Sequence, residues 1–172
     1  MSGVFFRELG LSEPDYYLAV GSSAHGHQTG EMREKIEEIL LKEEPDVVLI
    51  NGDTNPALAG ALAAAKLHIL VAQVEAGLRG YNRKMPDEIN RMMTDHLSAL
   101  LFCPTETAIE NLRREGVTEG VHLVDDVMYD ALLGGVEIAR RTSTILDPGS
   151  RTATVYFGNG APSGEYRSAS EA

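Results

Sequence analysis

The 172-residue chain has little of what nucleic-acid-binding, secreted and membrane proteins need. It has no Trp and one Cys, Cys103, and 15 Lys and Arg face 26 Asp and Glu, for a formal net charge of −11. That balance argues against a nucleic-acid or anionic membrane surface, because both require a basic patch. A lone cysteine forms no internal disulfide, so we expect a small buried side chain and a reducing cytoplasm. No apolar run reaches the roughly 18 residues of a membrane span, and residues 1–10 do not resemble a signal peptide.

What remains is typical of one globular domain, with 43% hydrophobic and 24% charged residues. Short apolar runs alternate with helical stretches. The predicted strands are residues 47–50, 68–74, 99–103 and 121–124, with 17–20 as a further candidate. The predicted helices are residues 30–42, 54–66, 86–97, 105–115 and 126–141. Uniformly apolar strands alternating with helices predict an α/β fold, a parallel sheet with helices on both faces.

In such sheets the loops at the carboxyl ends of the strands carry the binding site. The NGDTN segment, residues 51–55, is one such loop. Gly52 permits close approach of a ligand to the backbone, and Asp53 is a carboxylate that would face it. Asp53 could equally be a helix cap, and Thr54 or Asn55 could cap the helix that follows, whose N-terminus favours an anion.

Two further segments place acidic residues beside this edge. In VEAGLR, residues 74–79, Glu75 directly follows a buried strand, where a charge is costly unless it is paired or functional. The alternative is a structural ion pair between Glu75 and Arg79. In MPDEINR, residues 85–91, Asp87 and Glu88 fall in a first helical turn, where the helix dipole alone could explain them. Functionally, converging carboxylates can hold different protonation states and act as base and acid.

Other motifs are weaker. His25 and His27 lie in GSSAHGHQTG, predicted as a loop before a helix; an H-x-H pair can bind a metal, but no third ligand stands at useful spacing. A polar loop or a substrate contact is the favoured interpretation. Met92 and Met93 are predicted to pack in the core. The chain has no GxGxxG, Walker A or Cys-x-x-Cys motif, so nothing local supports NAD binding or nucleotide triphosphate hydrolysis.

Together these segments resemble a known family. Residues 45–117, the VGS-x-x-H-G-x-Q-T-G loop and the DVMYDALL segment are similar to the non-hydrolysing UDP-N-acetylglucosamine 2-epimerases, over about residues 1–145. The resemblance implies a Rossmann-like domain, one half of a glycosyltransferase-B-like two-domain architecture. It implies conversion of UDP-N-acetylglucosamine to UDP-N-acetylmannosamine by elimination and re-addition of UDP, with no redox cofactor and no metal.

The resemblance also assigns roles to residues. Catalytic roles fall on Asp53, Glu75, Asp87 and Glu88, without deciding which is acid or base. Substrate contacts fall on Gly52, Thr54, His25, Gln28, Arg79, Asn90 and Arg91. The family's PEE motif is PDE here, so Asp87 stands where a catalytic Glu is expected, with a side chain about one methylene shorter. Asp125 stands where a glycine is expected.

The expected organisation is an epimerase domain over residues 1–145 that lacks the family's first strand. Residues 146–172 match nothing in the family and are predicted to be a disordered tail. Weak or absent turnover is expected in isolation, because the second domain would supply most UDP contacts. An alternative is a non-catalytic fragment that acts as a binding or oligomerisation module, as a homodimer or with a full-length enzyme. Another enzyme of the same architecture is a third possibility.

Overall fold

The computed structural model of the chain describes residues 12 and 14–142, with side chains up to residue 136. The chain divides into two units after Val127. In chain order the elements are α1 (His25–Glu43), β1 (Val47–Asn51), α2 (Asn55–Lys66), β2 (Leu70–Val74), α3 (Pro86–Leu97), β3 (Leu100–Cys103), α4 (Glu106–Arg114), β4 (Val121–Leu123) and α5 (Val127–Thr142). None of the helices in this part of the chain combines the length and apolarity that a membrane crossing requires.

Four predicted strands and five predicted helices are confirmed, and most of their ends differ from the prediction by one or two residues. The largest difference is at α1, which begins at His25 rather than at residue 30. The H-x-H pair therefore lies in a first helical turn and not in a loop. The candidate strand at residues 17–20 is wrong, because that stretch has no regular structure. The predicted tail, residues 146–172, lies outside the described residues.

The four strands form one parallel sheet in the order β1-β2-β3-β4. This confirms the predicted parallel sheet. Spatial order follows chain order, so right-handed crossovers place every connecting helix on the same side. Leu49 pairs with Ala72, and Ala72 with Leu100, which sets the register across three strands.

The core lies between this side of the sheet and its helices, in two clusters. The first joins Leu40, Ile50 and Val71 to the alanines of α2. Alanines keep α2 close to the strands because they add almost no side-chain bulk. The second cluster is built around Leu101, Leu112 and Cys103. Burial raises the pKa of the Cys103 thiol to about 11, and the prediction of a small buried side chain is confirmed.

The opposite side of the sheet is open where β1 and β2 begin. Leu49 is 65% exposed, and Val47 and Leu70 are exposed beside it. By parity along the strands these residues point away from the core clusters. Within residues 14–127, the helices that pack on the sheet therefore cover one of its faces.

Helix α3 reverses the usual amphipathic pattern, because its buried residues are polar and some of its apolar residues are exposed. Its buried residues are all polar: Glu88, Asn90, Thr94 and Asp95. Two of its apolar residues, Ile89 and Met93, are exposed, so the prediction that Met93 packs in the core is wrong. The hydrogen-bonding groups of α3 therefore face the interior of the first unit.

Substitution of two glycines with positive φ tests how closely the backbone packs beside the sheet. An added Cβ at Gly120, φ +68, would lie 2.0 Å from the carbonyl oxygen of Ala99, whereas at Gly116, φ +82, nothing lies within 4 Å. We expect Gly116→Ala to lower the free energy of unfolding by about 1–2 kcal/mol, the left-handed penalty alone. Gly120→Ala should cost clearly more, because the β3–β4 contact must open.

Urea unfolding of both variants and the wild type measures this difference. Equal losses of stability in the two variants would contradict the close approach between Gly120 and Ala99.

Candidate functional site

The three predicted segments meet at the carboxyl edge of the sheet. Asn51, the last residue of β1, pairs with Val74, the last residue of β2. The loops that follow these strands, which carry Asp53 and Glu75, therefore leave the sheet side by side. The first two turns of α3 reach the same place, because Arg91 contacts Asp53. The convergence of segments that are distant in the sequence creates the candidate site.

Arg91 bridges two of the predicted acids. Its Nη1 donates to Glu88 at 2.8 Å, and its Nη2 donates to Asp53. The Arg91 side chain is 20% exposed and that of Asp53 31%, so the pair borders solvent. The alternative of Asp53 as a helix cap is wrong: Thr54 is at the N-cap of α2, and its side chain makes no capping hydrogen bond.

Glu88 is an enclosed anchor. Its side chain is 3% exposed and accepts hydrogen bonds from the backbone N–H groups of Gly80, at 3.0 Å, and Tyr81, at 2.8 Å. Burial raises its pKa, but those two bonds and the charge of Arg91 outweigh burial and hold the pKa below its usual range. Glu88 is therefore a carboxylate whose oxygens are already engaged by the protein.

Glu75 and Asp87 differ from Glu88. Neither side chain forms a hydrogen bond or an ion pair with any other residue in the described part of the chain. Glu75 is half-buried with φ +65, an uncommon conformation for a side-chain-bearing residue. Asp87 is exposed, although it lies next to Glu88 in the same helical turn. Of the four predicted catalytic acids, these two are the ones without a side-chain partner among the described residues.

Arg79 belongs to a buried ion triad. Its Nη1 donates to Asp95 at 2.7 Å, and its Nε and Nη2 donate to both oxygens of Glu115 at 2.8 Å. Burial raises the pKa of Asp95 against the influence of Arg79, whereas the hydrogen bond from Arg79 lowers the pKa of Glu115. The Arg79 side chain is 1% exposed. The alternative of a Glu75–Arg79 ion pair is therefore wrong. The substrate contact of Arg79 stays a prediction.

Three predicted substrate contacts converge on Asn55, which sequence reasoning treated only as a cap. Its amide nitrogen donates to Gln28 at 2.7 Å and lies 3.2 Å from Nδ1 of His25, and its oxygen accepts from Asn90 at 3.1 Å. Among the residues the structure describes, no group of three or more His, Cys, Asp or Glu could hold a metal ion. The members of this cluster are joined through the Asn55 amide, which contacts His25, Gln28 and Asn90.

Asn55 also lines an open cleft of about 470 Å³ between α1, α2 and the start of α3. Its polar lining includes His25, Arg33, Asn55 and Asn90, and its apolar lining includes Leu58, Pro86 and Ile89. Apolar walls with a few convergent polar groups are typical of small-molecule sites.

Gln73 is a residue that sequence reasoning missed. It is 1% exposed, and its Nε2 donates to the carbonyl of Gly52 at 2.8 Å, which fixes the loop that carries Asp53. The available signal was a polar residue inside the apolar run of β2. Gly52 itself has φ +82, and Thr54 is exposed. Both lie beside Asp53, where a ligand could reach them.

A family model described as UDP-N-acetylglucosamine 2-epimerase matches residues 1–157. The chain belongs to this family. It is 57% identical over 148 residues to a UDP-N-acetylglucosamine 2-epimerase homolog of Methanococcus maripaludis, covering 86% of this chain and 42% of that protein. It is 52% identical over 136 residues to a UDP-2,3-diacetamido-2,3-dideoxy-D-glucuronate 2-epimerase of Pseudomonas aeruginosa, covering 77% of this chain and 38% of that protein.

The fold agrees with the family. The crystal structure of the Methanocaldococcus jannaschii UDP-GlcNAc 2-epimerase in complex with UDP-GlcNAc and UDP superposes with a TM-score of 0.81 at 52% identity. The match covers 84% of this chain and 40% of that one. The architecture is therefore the predicted half of a glycosyltransferase-B-like fold. The chain spans about 40% of the length of the relatives that it matches.

The neighbours Glu88 and Asp87 give a matched test of this site. We expect Glu88→Gln to lower the free energy of unfolding by about 2–3 kcal/mol, because hydrogen bonds to a buried charge are lost and a new N–H faces backbone donors. Asp87→Asn, at an exposed and unpaired position, should cost at most about 1 kcal/mol, the contribution of a first-turn acid to the helix dipole. Urea midpoints at pH 7 measure both.

Acid pH supplies the control for this prediction. The pKa of Glu88 is lowered by folding, so its contribution is complete above the unfolded value of about 4.3 and is lost as the pH falls through the folded value. The gap in stability between wild type and Glu88→Gln should therefore close as the pH falls below about 4.3. A constant gap would contradict the ionised anchor.

Proposed function

We propose that this chain supplies the acid–base half of a UDP-N-acetylglucosamine 2-epimerase site. One observation carries the proposal: Glu75 and Asp87 stand unpaired at the carboxyl edge, while Glu88 is engaged by backbone N–H groups and Arg91. A residue that exchanges a proton with substrate must have a free carboxylate, and a residue that fixes the backbone must not. Family membership supports the same assignment.

The chemistry needs two proton-transfer groups. In the elimination a base removes the C2 proton, a C1–C2 double bond forms, and the C1–O bond breaks to release UDP. In the return step a proton is delivered to the other face of C2 as UDP adds back to C1, so no net oxidation occurs. We assign the two transfers to Glu75 and Asp87, and to Asp53 a supporting charge held by Arg91. Gly52, Thr54 and the Asn55 cluster would contact the substrate.

The substrate class is a UDP-sugar with an acetamido group at C2. UDP-N-acetylglucosamine is the substrate that most of the relatives' names carry, and the Pseudomonas aeruginosa relative is named for a diacetamido uronate. Identity to this chain, 52% and 53%, does not separate the two substrates. Cytoplasmic location and a homodimer stay predictions.

A domain replacement tests the proposal without depending on turnover by the chain alone. The matching segment of the Methanocaldococcus jannaschii relative is exchanged for this chain, and both UDP-sugars are offered in deuterated water. We expect C2 deuterium incorporation and the C2 epimer by proton NMR. In that background Glu75→Gln should reduce the rate by at least about 100-fold, because a proton-transfer group is lost.

The control is Glu110→Gln, at a half-buried glutamate on α4 that pairs with Arg113 and Arg114. Its rate should match the parent. A folded exchange protein without any C2 exchange would refute the proposal. So would a Glu75→Gln variant that is as fast as Glu110→Gln.

Asp87 stands where the family's PEE motif has a glutamate, and this difference yields a separate prediction. Asp87 is exposed and unpaired, so a longer side chain meets no obstacle among the described residues. We expect Asp87→Glu to raise kcat in the exchanged protein by about 10-fold or more, because placement errors near 1 Å cost up to about 100-fold in rate. Steady-state kinetics measures it, and a decrease in kcat would show that the shorter acid is already in place.

A further inference from the structure

The loop that carries Glu75 is held at the residues that follow it. The Ala76 N–H donates to the carbonyl of Phe102 at 3.1 Å. The Gly77 N–H donates to Asp95 Oδ2 at 3.1 Å, and the Gly77 carbonyl accepts from the Asn111 amide at 2.9 Å. Glu75 is thus followed immediately by a backbone whose polar groups are bound from two helices and a neighbouring strand.

Glu75 itself is in a conformation that needs this support. Its φ is +65, and such backbone strain persists only where the surroundings over-determine it. Gly77 itself lies close against the backbone of Ala108, because a Cβ added at Gly77 would be 2.3 Å from the Ala108 carbonyl oxygen. The direction of the Glu75 side chain is therefore set by how Gly77 is held.

Asn111 binds Gly77 and Tyr81 at the same time. It is 6% exposed, and its oxygen accepts from the Tyr81 hydroxyl at 2.6 Å. A carbonyl can only accept, so the amide group of Asn111 must turn its NH₂ to Gly77 and its oxygen to Tyr81. The Tyr81 N–H in turn donates to Glu88, next to Asp87.

We propose that Asn111 is a positioning residue that sets the placement of Glu75 relative to Asp87, by binding the Gly77 carbonyl on one side and the Tyr81 hydroxyl on the other. The inference rests on the proposed function for the roles of the two acids. It adds to that function a residue on α4 that contacts neither acid. Among the described residues, no other side chain binds both Gly77 and Tyr81, one through its donor and the other through its acceptor.

The sharpest test is Asn111→Asp in the full chain, followed through the backbone and side-chain carboxyl resonances of Glu75. At low pH the introduced acid is protonated and can still donate to Gly77 while accepting from Tyr81. At high pH its carboxylate would face the Gly77 carbonyl and repel it. The Glu75 resonances should match the wild type at low pH and move towards those of Asn111→Ala as the pH rises. Wild type, recorded at each pH, supplies the reference for the titration of Glu75 itself.

Two further variants separate positioning from general stability. Glu110→Gln, one residue earlier on α4 and paired only with Arg113 and Arg114 among the described residues, should keep wild-type Glu75 resonances at every pH. Tyr81→Phe removes only the hydroxyl of a ring that is 65% exposed, so it should fold and yet shift the resonances of both Glu75 and Asp87. If Asn111→Asp folds and its Glu75 resonances stay unchanged, the proposal is overturned. If Asn111→Ala does not fold, unchanged Glu75 resonances in folded Tyr81→Phe overturn it instead.

A kinetic experiment, evaluated separately from the Glu75 resonances, tests the effect on the rate. In the domain-exchange protein, Tyr81→Phe should lower kcat about 10-fold with KM within about 2-fold, since misplacement costs chemistry more than binding. An unchanged kcat beside an active parent would overturn the positioning role. An inactive parent would refute the proposed function alone, because the Glu75 resonances would still decide whether Asn111 positions that residue.

Discussion

The buried carboxylate of Glu88 is the constraint around which the edge of this sheet is arranged. A charge that is 3% exposed must be met by donors, and the nearest are the N–H groups of Gly80 and Tyr81 and the guanidinium of Arg91. Arg91 extends the arrangement to Asp53. One buried charge thus brings together the loop after β1, the loop after β2 and the start of α3.

The burial of Glu88 also separates the acids that hold the structure together from those whose carboxylates have no partner. Glu88 has a lowered pKa, and its oxygens accept hydrogen bonds from the protein. Such a carboxylate is poorly suited to proton transfer and well suited to fixing the backbone. Asp95 and Glu115 act likewise by fixing Arg79. Glu75 and Asp87 remain, each next to a fixed point along the chain, so that free carboxylates are carried by a rigid backbone. The proton-transfer roles that we propose for Glu75 and Asp87 would rely on this combination of an unpaired carboxylate and a constrained support.

Sequence reasoning reached the sheet because its strands are largely apolar and are separated by helices, and both patterns are local. It failed at α3, since periodicity assumes that apolar residues face inward and Met93 does not. It also offered Glu75, four residues away, as a partner for Arg79, whereas the observed partners Asp95 and Glu115 are 16 and 36 residues distant. Burial, which separates Glu88 from Asp87, has no local signal when the two are adjacent acids in one helical turn.

The inverted polarity of α3 follows from the position of the helix between core and site. An ordinary amphipathic helix would bury its apolar residues, stabilising the domain but leaving the strand-edge loops without donors and acceptors. Here Glu88 and Asp95 face inward to hold those loops, and Ile89 lies on the wall of the cleft beside Asn55. Stability that apolar burial would have provided is given up to place polar groups, a trade expected where function and folding compete for one surface.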